Sequence, residues 1–162
     1  MSSVDLFGFA LALLGMLGCG LVAGVFFAFS TFVMKAFARL EPAGGIAAMQ
    51  AINVVVLKSW FMVAFLGTAV VCAVALVFSL WWWDQPGAIF LSAGSVLYLV
   101  GSLLVTMLFN MPRNKTLASV SPADPNAVTL WTGYIAGWTA WNHVRTVASL
   151  AAAILFITAL AY

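Results

Sequence analysis

The sequence predicts an all-α protein, an integral membrane four-helix bundle with its N- and C-termini on the non-cytoplasmic side. Three observations carry that reading. Hydrophobic residues make up 65% of the 162 residues and charged residues 6%, against about 25% charged in a soluble domain, and the mean hydropathy is +1.16. Residues 6–34, 59–83 and 85–112 contain no Asp, Glu, Lys or Arg. Each window exceeds the roughly 20 apolar residues that cross a hydrocarbon core about 30 Å thick. A fourth window, 146–162, is short, but its helical pattern begins upstream near Asn126. The basic residues are the third observation: Lys35, Arg39 and Lys58 surround the first loop and Arg113, Lys115 and Arg145 the third, with none near a terminus or the turn WWWDQPG (81–87). Basic loops stay in the cytoplasm, so loops 1 and 3 are expected there, in a multi-pass protein of the cell membrane.

A single domain, 1–162, is expected, with spans near 6–36, 56–80, 87–110 and 140–162 and amphipathic extensions near 46–56 and 127–140. The first span has no basic segment before it and is followed by Lys35 and Arg39, unlike a cleaved leader. Gly20, Gly24 and Ala28 form a small-residue ridge on it, which lets another helix approach closely. The loop EPAGG (41–45) ends that helix. In the next, Gln50 and Asn53 share a face with Ile46, Leu57 and Phe61, so two amides sit on the side that should be buried. They are either interhelical glue or functional groups. The third span carries Ser95, Tyr98, Ser102 and Thr106 at spacings of three and four, a polar stripe that must face the bundle interior because lipid cannot satisfy hydroxyls. Pro112 is expected to end or kink this helix at Asn110–Met111, projecting Asn110, Arg113 and Asn114 at the cytoplasmic mouth. The segment SVSPADPN (119–126) reads as a loop.

The stretch WTGYIAGWTAWNHVRT (131–146) concentrates polar and aromatic groups. At about 100° per residue, Trp131, Tyr134, Trp138, Trp141, Asn142 and Arg145 fall within an arc of about 100°, and His143 lies nearly opposite. A belt of interfacial tryptophans needs only a common depth. These residues instead descend the helix by about 15 Å between 131 and 141, which suits the wall of a flat hydrophobic pocket with a cation at its inner end.

Composition also excludes classes of chemistry. There is one histidine, no carboxylate inside any span, and no HxxxH, ExxH or CxxC pattern, so zinc, copper and di-iron centres lack their usual ligands. Bis-histidine haem is ruled out within one chain, and a single axial histidine stays open. Cys19 and Cys72 sit in apolar spans and read as buried, inert thiols. There is no phosphate-binding glycine loop, and a net charge of +2 points to no nucleic acid. Asparagines, a glutamine, arginines and aromatics remain. They suggest chemistry on an aromatic or enolisable molecule without a tightly held cofactor.

Four strings, GLVAGVFFAFSTFVM (20–34), AAMQAINVVV (47–56), FNMPRNKTL (109–117) and WTGYIAGWTAWNHVRT (131–146), together resemble the anthrone oxygenase-like membrane proteins, over nearly the whole chain. The resemblance implies a membrane-embedded, cofactor-independent monooxygenase that oxidises an anthrone to a quinone with dioxygen as co-substrate. Such an enzyme binds a flat hydrophobic tricycle, removes a proton and stabilises the oxyanion. On that reading Arg145, Arg113, Asn142 and Asn53 are candidates for the oxyanion site and His143 for the base. Trp138, Trp141, Trp131, Tyr134, Gln50, Asn110 and Tyr98 are candidates for substrate binding. Two other classes stay open on the same residues: a non-catalytic carrier, homo-oligomer or accessory subunit of a membrane complex, and a haem- or quinone-binding redox subunit.

Overall fold

The computed structural model describes residues 3–121 and 124–162; Pro122 and Ala123, placed by sequence in the loop 119–126, lie outside the described residues. The described residues form helices and no strand. Four helices are long and apolar enough to cross a membrane: α1 (Val4–Phe37), α3 (Trp60–Trp81), α4 (Ala88–Ala118) and α5 (Ala127–Ala159), with a shorter apolar helix α2 (Pro42–Lys58) between the first two. The long helices close a ring in the order α1, α3, α4, α5. In this up-and-down bundle both termini and the α3–α4 turn share one end, here the terminal end. The loops carrying the basic residues share the other, the basic end.

The stretch read as one helix from residue 46 to 80 is broken at Ser59. This residue is extended (φ −95°, ψ 159°), and its hydroxyl donates to the Val56 carbonyl at 2.7 Å. Serine competes for backbone groups in this way and ends helices. Freed of α3, α2 packs across the basic end against the last turns of α1 and α4 and the start of α5. Pro112, by contrast, does not end α4, which runs on to Ala118. The proline occupies the first turn of the regular helix that follows a wide π-helical turn, Thr106–Asn110, where its missing N–H costs no ladder bond.

Trp60 and Trp81 are 85% and 80% exposed and stand about 31 Å apart along α3. That separation matches the thickness of a hydrocarbon core bracketed by two aromatic girdles. The ridge expected to admit a helix does not do so within the chain. A Cβ on Gly20 or Gly24 would meet nothing within 4 Å. Close approach occurs one face away: a Cβ on Gly15 would lie 2.8 Å from the Phe156 ring and one on Gly18 would strike Thr68. The α4–α5 seam is equally tight, since a Cβ on Gly101 would sit 2.5 Å from that of Ala148. Cys19 and Cys72 are buried free thiols in this apolar core.

Candidate functional site

Regular α geometry through all of α5 puts one face inward. Trp131, Tyr134, Trp138, Asn142 and Arg145 are buried, Trp141 is half-buried and His143 is exposed. Arg145 lies about 21 Å along α5 from Ala159 and Trp138 about 31 Å, so the guanidinium belongs inside the hydrocarbon slab and the Trp138 ring near its basic boundary.

A compact polar network surrounds Arg145. Asn142 Nδ2 donates to the Phe26 carbonyl at 2.7 Å and to Ser30 Oγ at 2.6 Å, and Asn142 Oδ1 accepts from Arg145 Nη2 at 2.6 Å. Arg145 Nη1 donates to Thr106 Oγ1 at 3.1 Å, which itself donates to the Ser102 carbonyl at 2.7 Å. Ser30 Oγ lies 3.3 Å from Thr146 Oγ1, and that hydroxyl donates to the Asn142 carbonyl. The guanidinium carbon is 4.2 Å from the Phe26 ring centroid and 5.1 Å from that of Trp138, within cation–π range. Arg145 is 5% exposed, yet among the described residues no carboxylate pairs with it. The Nε–H of Arg145 and the Nε1–H of Trp138 are buried without a partner.

Local backbone geometry builds this network. Ser30 lies in a π-helical turn of α1, Phe29–Val33, and Ser102 and Thr106 lie in two of α4, Leu99–Leu104 and Thr106–Asn110. A side chain that inserts into the backbone ladder widens a helix, and the Asn142 amide on the Phe26 carbonyl enters α1 just before its π turn. Turns of this type recur at functional sites. Sequence reasoning missed Phe26 and Ser30 as site residues because their partners are 112 and 116 residues away.

Towards the basic end a second layer covers the first. The Trp131 and Tyr134 rings stack at 5.6 Å, and a Cβ on Gly45 would lie 2.7 Å from the Trp131 indole, so only glycine lets α2 seat there. Tyr134 donates to Asn114 Oδ1 at 2.9 Å. Asn110 Nδ2 donates to the Trp138 carbonyl at 3.2 Å, while Asn110 Oδ1 and Asn53 Nδ2 are buried and unpartnered. Other candidates are engaged elsewhere. Gln50 Nε2 donates to the carbonyls of Leu117 and Val120 at 2.8 and 2.9 Å, closing the C-terminal turn of α4. Arg113 donates to the Phe109 carbonyl of its own helix at 2.7 Å, and Phe109 stacks on Trp141 at 3.6 Å. Tyr98 donates to the Phe65 carbonyl at 2.9 Å, deep in the apolar core. The structure therefore gathers Arg145, Asn142, Trp138 and Asn110, and separates them from Gln50, Tyr98 and the exposed His143.

Two cavities open at the terminal end, one between α1 and α3 and one at the mouth of the bundle, and neither is lined by a residue of the α5 stripe. Among the described residues no three His, Cys, Asp or Glu side chains come together to hold a metal ion.

A family model described as anthrone oxygenase matches residues 57–155. The chain belongs to the anthrone oxygenase family. The matched stretch holds α3, α4 and nearly all of α5, and with them Thr106, Asn110, Trp138, Asn142 and Arg145. Phe26, Ser30, Gln50 and Asn53 fall before it. In this member of the family the buried cation and both its hydrogen-bond partners thus come from matched residues, while α1 adds the aromatic face and the serine that hold them. No curated protein and no solved structure matches the chain.

Proposed function

We propose that this multi-pass membrane protein oxidises an enolisable polycyclic aromatic, an anthrone, to the quinone with dioxygen and without metal, at the Arg145 cluster. One observation carries the reading: a guanidinium buried in the bundle, with an unpartnered N–H and two aromatic rings within cation–π range, faces no carboxylate among the described residues. An uncompensated cation at such depth is costly. A flat anion offsets that cost.

An anthrone is such a molecule once ionised. Loss of a methylene proton leaves a carbanion delocalised onto the ring oxygen, and Arg145 and the Trp138 N–H are the donors for that oxygen. The anion passes one electron to dioxygen. The resulting radical pair joins as a C–O bond, and the peroxide takes up a proton. Loss of the remaining C–H proton with scission of the O–O bond then gives the carbonyl and water. The sum is CH2 plus O2 to C=O plus H2O. His143 is exposed and turned away from the cluster, so solvent is the proton acceptor. A preorganised donor of this kind is worth about 10²- to 10³-fold in rate.

The test is oxygen uptake with an anthrone by the full chain in lipid nanodiscs. Arg145→Ala is expected to lose about 10²-fold or more, and Trp138→Ala to fall as well. Turnover unchanged in both folded variants would remove the site. A non-catalytic membrane component is the second reading. It is favoured by the engagement of both Arg145 Nη atoms within the chain, and an absence of wild-type turnover would select it.

A further inference from the structure

We propose that a file of serine hydroxyls, the half-buried Ser92 and the buried Ser95, Ser149 and Ser102, carries water and protons between the terminal-end cavity and the Arg145 cluster. The cavity measures about 340 Å³ and is lined by Ser79, Gln85 and Ala88 among others. Ser79 Oγ, part of that lining, lies 2.7 Å from Ser92 Oγ. Deeper in the bundle, Ser95, Ser149 and Ser102 are each 0% exposed, and each hydroxyl is without a partner. At the far end, Ser102 offers its carbonyl to Thr106, which accepts from Arg145.

The spacing is that of bridging water. Ser92 and Ser95 share a face of α4, about 4.5 Å apart in rise. Ser95 and Ser102 are about 10 Å apart, and Ser149 falls between them. The seam sets that level, because Gly94 lies against the Ala152 carbonyl and Gly101 against Ala148. Each step along the file is therefore roughly 5 Å in axial level, a spacing that one water with two hydrogen bonds of ordinary length can bridge. Ser149 also shares its α5 face with Asn142 and Arg145, seven and four residues away. A hydroxyl buried in a membrane bundle without a partner is costly, and such groups mark water and proton routes. Three in one file are better explained by ordered water than by packing.

The file rests on the oxygenase reading for its purpose. That reaction sends one proton out, takes one back and releases one water, in a cluster that contains no carboxylate or histidine. Its existence can be tested without turnover. The full chain in lipid nanodiscs is given a radiolytic pulse, and hydroxyl radicals formed from resident water label the side chains they touch. Tyr98, 0% exposed and flanked on α4 by Ser95 and Ser102, is expected to be labelled. Labelling should fall roughly fivefold in Ser149→Ala/Ser102→Ala, where water loses its polar partners. In anthrone oxidation, Ser149→Ala should lower kcat roughly tenfold at unchanged KM, and Ser149→Thr should restore it. An unlabelled Tyr98 in the wild type, or a kcat indifferent to Ser149→Ala, overturns the file. Labelling at Tyr98 without any anthrone turnover supports the file and sinks the oxygenase reading.

Discussion

Near the termini, Gly15 receives the Phe156 ring and Gly94 lies against the Ala152 carbonyl, so close backbone approach and apolar contact hold the bundle. Near the basic end the helices widen into three π-helical turns, amides and a guanidinium cross between helices, and several buried polar atoms have no partner. Close packing dominates the first half, apart from the unpartnered hydroxyls of Ser95 and Ser149, and polar contacts dominate the second. Buried polar groups short of partners lower the stability of a bundle, and they persist where a ligand or a reaction uses them. More of these groups lie in the basic half, around the proposed site, than in the terminal half.

Substitutions should separate the halves. Phe156→Ala, which empties a fully buried site, is expected to cost about 3–5 kcal/mol, read as a lower melting temperature in nanodiscs. The surviving folded protein should keep its turnover. Asn142→Ala should cost about 1–3 kcal/mol because it strands the Phe26 carbonyl and one Arg145 N–H. Unlike Phe156→Ala, it should also abolish most turnover. A loss of stability with turnover intact would mean that the network is only glue. The smallest effect belongs to Gln50→Ala, which frees two carbonyls at the end of α4 for about 1 kcal/mol. It should appear as faster amide exchange over residues 113–120 with little change in activity.

The sequence displayed one half of this contrast better than the other. The spans were legible because charge is confined to a few clusters, and the inward face of α5 because a regular helix obeys its period. The π turns were not legible. The turn of α1 follows the Phe26 carbonyl, which Asn142 reaches from 116 residues away. Gln50 resembled a site residue because an amide on an apolar face reads alike whether it meets a ligand or caps a helix, and only the Leu117 and Val120 carbonyls decide between them. The Gly20–Gly24 ridge meets no helix of this chain for a related reason. Small residues permit close approach but do not say whether a neighbour is there, and the neighbours of α1 sit over Gly15 and Gly18 instead. Pro112 signalled a helix end or a kink, and α4 runs on past it after a π turn at Thr106–Asn110.

The central claim is that the buried Arg145 guanidinium stabilises an aromatic anion. Anaerobic titration of an anthrone bound to the full chain in nanodiscs measures this directly, since without oxygen the absorbance of the anion reports ionisation alone. Bound anthrone is expected to ionise about two pH units or more below its value in protein-free nanodiscs, and Arg145→Gln is expected to erase the difference. An ionisation unchanged on binding, or a shift that survives Arg145→Gln, would contradict it.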